Sequence, residues 1–72
     1  MTTEQEVEAS ARRRRLDDAV RRKHAAVCEE LARVRRLREE NPDRTGIEDY
    51  LRDLERDRAS LEAIAKRRGI DL

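Results

Sequence analysis

The sequence predicts an all-α protein, a two-helix antiparallel coiled-coil hairpin, and three observations predict it. From Met1 to Asn41 the 72-residue chain holds neither Gly nor Pro, so nothing interrupts a long first helix. The only turn cluster, "NPDRTG" at residues 41–46, is short enough to lay the following helix antiparallel beside the first. On both sides of it apolar residues step by three and four, the spacing of one helical face.

The first helix is expected over about residues 4–40, where Thr3 followed by Glu6 has the spacing of a capping box. Its roughly 37 residues would extend about 55 Å at 1.5 Å each. Pro42 pushes Asn41 out of the helical region, and Thr45 with Glu48 repeats the capping-box spacing. The second helix is therefore expected over about 46–68. Lys66, Arg67 and Arg68 suit its negative end, Gly69 suits a left-handed cap, and Ile70 is placed to pack back on Ile64 or Ala65. Five acid-first pairs four apart, Asp17/Arg21, Asp18/Arg22, Glu29/Arg33, Glu48/Arg52 and Glu62/Lys66, would add a few tenths of a kcal/mol each.

The predicted seam takes Leu16, Val20, Val27, Leu31, Val34 and Leu37 from the first helix. From the second it takes Ile47, Tyr50, Leu51, Leu54, Leu61 and Ile64. Folding at the turn sets Leu37 near Tyr50 and Leu51, Val34 near Leu54, Val27 near Leu61 and His24 near Ile64. With the valines at heptad position a, Lys23 and Glu30 fall at d and Asp57 enters the matching seam, leaving Glu30 able to reach Arg58. Ala19 and Ala26 widen the apolar stripe beyond what one partner helix covers. A seam this thin, set against roughly 1.5 kcal/mol of ordering entropy per residue, predicts a homodimer, two hairpins forming a four-helix bundle. Residues 1–15 would overhang the hairpin unless Ile70 and Leu72 fold back on Leu16.

Charged residues make up 49% of the chain yet sum to +1, which suits ion-paired helices rather than an acidic or basic tail. Six arginines, Arg14, Arg21 and Arg35 at b with Arg15, Arg22 and Arg36 at c, line about 33 Å of outward face at 1.5 Å per residue. That stripe is a candidate for phosphates or an acidic partner. Neighbouring Asp17, Asp18, Glu29, Glu39 and Glu40 argue instead for a solvated face. Tyr50 is the sole aromatic, so no base-stacking platform is available.

His24 and Cys28 share a helical face, but no other His or Cys completes a metal site, and no cofactor is implied. Adjacent carboxylates on an exposed helix lack the pocket that acid–base catalysis needs. No enzyme activity is expected. The longest apolar run, residues 25–28, is far short of a membrane span, and Val7, Ala9 and Ala11 are small for membrane-surface anchors, so no membrane contact is expected. With no signal-peptide pattern and a single cysteine, the cytoplasm is the expected location.

Glu39, Glu40, Asp43, Glu48 and Asp49 make the tip acidic. An acidic tip on a helical hairpin resembles the secondary-channel factors of RNA polymerase in architecture and tip charge, without a shared sequence motif or a second globular domain. The expected function is a non-enzymatic protein-protein interaction or adaptor module, a small regulatory hairpin that self-associates and offers residues 7–15 or the surface around Tyr50 to a protein partner. The alternative is a small nucleic-acid-associated regulator that contacts phosphates through the arginine stripe.

Overall fold

Residues 3–40 are rich in Arg, Glu and Ala, all strong helix formers, and in the computed structural model they form one helix, α1 (Thr3–Glu40). The structure describes residues 3–72. Thr3 already lies inside the helix, so the cap expected from it falls outside the described residues. At Asn41 the ladder closes with a last backbone bond to the Leu37 carbonyl at 2.8 Å, and the Arg44 amide bonds back to Asn41 across the turn at 3.1 Å. The chain then re-enters a helix, α2 (Ile47–Arg68).

Gly46, not Thr45, caps α2. Its φ of 88° is a left-handed conformation that side-chain-bearing residues resist, and no side chain bonds the free amides there. The expected Thr45/Glu48 box is therefore not formed. The other end of α2 closes as its sequence implies. Gly69, at φ 69°, turns the chain so that the Ile70 amide reaches the Ala65 carbonyl at 2.8 Å and the Gly69 amide points at that of Lys66 at 3.4 Å. These are the two hydrogen bonds of a Schellman motif, and Ile70 is buried.

The two helices pack as an antiparallel hairpin in a rod 64 Å long and 17 by 16 Å across. Its core is a single seam holding Val27, Leu31 and Val34 of α1 against Ile47, Leu51 and Leu54 of α2, with Leu61 packed at its edge. Leu31 and Val34 are fully buried. Burial on this scale stabilises by about 1.5–3 kcal/mol per side chain, so a few residues hold the hairpin.

Burial corrects the heptad frame. The inward residues of α1 are Asp17, Val20, His24, Val27, Leu31 and Val34, which puts the valines at d and Asp17, His24 and Leu31 at a. Lys23 is exposed and Glu30 half-buried, flanking the seam instead of filling it. On α2 the matching series is Ile47, Leu51, Leu54, Arg58, Leu61 and Ala65, so Arg58 lines the seam and Asp57 points to solvent. Seven-residue spacing among valines is compatible with either a or d. The deciding residues, Asp17, His24 and Arg58, are polar and so are invisible to an apolar count.

Ion pairs tie the two helices together. Asp17–Arg68 at 3.0 Å, His24–Glu62 at 3.2 Å and Arg38–Glu48 at 3.5 Å bridge the helices. Leu16 and Tyr50, expected in the seam, lie outside it, 55% and 43% exposed. Val20 and Leu61 are half-buried at seam positions, and Leu37 and Ile64 are half-buried along its margins.

Candidate interaction surfaces

Every arginine of the expected stripe is exposed, but the six do not form one free face. In the observed frame Arg14, Arg21 and Arg35 occupy e, beside the seam, where a side chain can lean over the partner helix. Arg35 reaches Glu55 of α2 at 3.2 Å. Arg21 bonds the Asp71 carbonyl beyond α2 at 3.3 Å and Asp18 at the same distance. Both are thereby committed to the hairpin. Arg15, Arg22 and Arg36 occupy f and face outward. Among the described residues Arg14, Arg15, Arg22 and Arg36 make no ion pair, and Arg15 bonds only the Ala11 carbonyl of its own helix at 3.4 Å.

None of the five expected i,i+4 pairs forms. Three carboxylates of those pairs reach across to the other helix, Asp17 to Arg68, Glu48 to Arg38 and Glu62 to the His24 ring, and Glu62 also meets Arg58 at 3.8 Å. Cross-helix partners at seam-flanking positions compete with the intrahelical ones. The local pairs that do form are mostly three apart, Asp18–Arg21, Glu30–Arg33 and Asp49–Arg52. Glu30 is held by Arg33 and does not reach Arg58.

The overhang runs from Thr3 to Leu16, about 20 Å at 1.5 Å per residue, and all of it is exposed. The tail does not fold back to cover it. Asp71 goes to Arg21, and Leu72 stays 53% exposed. The side that continues the seam along the overhang carries Thr3, Glu6, Ser10 and Arg13, which gives a second helix no apolar seat there.

Val7, 65% exposed, shares a column of α1 with Arg35, and further apolar surface lies on the opposite flank of the hairpin. At the turn end a cleft of about 360 Å³ is floored by Val34, Leu37, Ile47 and Tyr50 and rimmed by Arg33, Arg44, Thr45 and Gly46. The Tyr50 phenol stands above its ordinary value of 10.0. Lost solvation raises it first; the Glu30 carboxylate then repels the phenolate and favours the protonated hydroxyl, while Arg33 acts the other way. Farther along α1 a shallower depression of about 200 Å³ lies over Ala26, between Glu29, Glu30 and Arg33.

His24 and Cys28 do meet. The thiol sulfur lies 3.8 Å from Nε2 and 3.9 Å from Nδ1 of the imidazole, whose Nε2 also contacts Glu62. Glu62 is the partner that the sequence did not announce. Among the described residues no group of three or more His, Cys, Asp or Glu side chains is placed to hold a metal ion. No described helix is long and apolar enough to cross a membrane.

Compared with known proteins, the chain matches no family model, no curated sequence and no solved structure.

Proposed function

We propose that this chain is a non-enzymatic protein-interaction module, a small helical hairpin that pairs with a second copy of itself and offers the remaining helix surface to a protein partner. The supporting observation is how much surface one hairpin leaves uncovered. A folded monomer of 8.5 kDa typically exposes about 4,700 Å², whereas this chain exposes 6159 Å². The excess, about 1,500 Å², is larger than the roughly 800 Å² that an ordinary interface removes from each partner. Leu16 and Tyr50 lie within that uncovered surface. Sedimentation equilibrium at micromolar concentration tests the reading. A mass of twice 8.5 kDa supports it, and a fully helical monomer across the concentration range refutes it.

A second reading rests on Arg14, Arg15, Arg22 and Arg36, four exposed cations without ion partners among the described residues. They suit phosphate oxygens of a nucleic acid, contacted without base readout. Titrating a labelled duplex of about 20 base pairs at two salt concentrations tests this, because the slope of affinity against salt counts the phosphates engaged. Salt-sensitive micromolar binding that disappears in Arg14→Glu/Arg15→Glu favours it. Absence of binding at low salt leaves these arginines to solvent or an acidic protein.

A further inference from the structure

One column of α1, beside the seam on the Tyr50 flank, reads Leu16, Lys23, Glu30, Leu37, each seven residues from the next. Adjacent members stand about 10.5 Å apart along the helix. The order is self-complementary. A two-fold axis crossing α1 beside Ala26 carries Leu16 onto Leu37 and Lys23 onto Glu30, and each match occurs twice.

We propose that the second copy docks on this column, antiparallel and isologous, with Leu16 of each chain seated in the Leu37–Tyr50 cleft of the other and Lys23 facing the other chain's Glu30. The proposal rests on the self-association reading and adds its face, direction and register. Three features of the surface support it. Leu16 and Tyr50, two of the four exposed large apolar side chains among the described residues, lie at opposite ends of the one stripe, so a single two-fold covers both. The stripe is concave where the axis crosses, at the Ala26 depression, and a small residue there permits close approach of the two α1 backbones. At its end the cleft floored by Leu37 and Tyr50 has room for a leucine side chain.

Charge fixes the direction. In a parallel pair Lys23 would face Lys23 and Glu30 would face Glu30, whereas the antiparallel pair opposes unlike charges throughout. Lys23 has no ion partner among the described residues. Glu30, with its side chain still 30% exposed, can accept from a second cation while holding Arg33. Isologous contacts of this kind close after two copies, giving a dimer and not a filament.

Disulfide trapping tests the geometry. In a Cys28→Ser background, Ala26→Cys should give a covalent dimer on mild oxidation with diamide, since facing residues at the axis come within the roughly 7 Å Cα separation a disulfide tolerates. Arg22→Cys, on the outer face, should not. Separately, Lys23→Glu should weaken dimerisation at least 10-fold, and Lys23→Glu/Glu30→Lys should restore it, with circular dichroism confirming unchanged helix content. A dimeric mass without trapping at position 26, equal trapping at position 22, or no rescue by the double reversal overturns this docking mode while leaving self-association standing. A monomeric parent chain overturns both.

Discussion

Asp17 and Arg68 meet at the open end of the hairpin, where Nε and Nη2 of the guanidinium both lie 3.0 Å from one carboxylate oxygen. Asp17 occupies a seam position, so this ion pair is the last layer of the coiled coil and the point at which α1 leaves α2. Both side chains are partly withdrawn from water, 24% exposed for Asp17 and 34% for Arg68, more so than any other arginine–carboxylate pair in the hairpin. Arg68 also sits on the last turn of α2, where a cation favours the helix dipole.

The two ends of that pair should therefore not be equivalent. Asp17→Asn is expected to lower stability by about 0.5–1 kcal/mol, with the loss shrinking in high salt. Arg68→Ala should cost a few tenths of a kcal/mol more, because it also removes the dipole interaction. Urea denaturation followed by circular dichroism, run as a double-mutant cycle, separates the contributions. A coupling energy near zero would show that the contact does not hold the open end together.

Leu31 and Leu16 are leucines on the same helix with opposite environments. Leu31 is 1% exposed between the helices, and Leu31→Ala should cost about 2–5 kcal/mol, enough to unfold much of so small a hairpin. Leu16, largely exposed in the single chain, should tolerate Ala with little change in the helicity of the monomer. Its effect should appear instead in the concentration dependence of the melt. Thermal melts at two protein concentrations check both expectations. A strong loss of monomer stability in Leu16→Ala would mean that Leu16 packs within its own hairpin.

The turn and the ends at which α1 and α2 stop were legible because they rest on local chemistry, whereas the start of α2 falls to Gly46 and not to the expected Thr45/Glu48 box. Pro42 and Gly69 act through their own backbone preferences, and Lys66–Arg68 followed by Gly69 marks a helix stop wherever it occurs. The seam was legible only in part. Most of its apolar members were placed on one face, but Leu16 and Tyr50 fall outside it, and three of its positions hold Asp17, His24 and Arg58, whose burial depends on what the other helix brings. Asp17 is drawn inward by Arg68, fifty-one residues away in sequence, and His24 by Glu62. The arginine stripe divided for the same reason. Whether Arg35 faces solvent or Glu55 follows from a register that no single helix encodes.

Gly69 offers a test of the local chemistry on its own. Its φ of 69° is strained for any L side chain, yet nothing lies within 4 Å of where a Cβ would stand. The cost of Gly69→Ala is therefore a backbone cost, about 1 kcal/mol, without a steric clash. The Schellman bonds from Ile70 and Gly69 should loosen and the last turn of α2 should fray. Hydrogen exchange at the Ile70 amide checks this directly, and the variant should exchange faster there with little change at Leu54. Uniform acceleration along both helices would mean that the cap supports the whole hairpin.

Tyr50 and Glu30 define the pH response. Because withdrawal from solvent and the Glu30 carboxylate both raise the phenol's pKa in the folded chain, the folded state holds the Tyr50 proton more tightly than the unfolded state does. The associated stability is fully present below the ordinary value of 10.0. It is lost as pH rises from there through the folded value, where the phenolate forms beside a carboxylate of like charge. Absorbance at the phenolate band, titrated in native buffer and again in denaturant, should give a higher midpoint for the native chain. Glu30→Gln removes the repulsion and should lower the native midpoint without abolishing the shift, since the desolvation contribution stays. Identical midpoints in native and denaturing conditions would show that Tyr50 does not engage Glu30 in solution, and that the floor of the cleft is open to water.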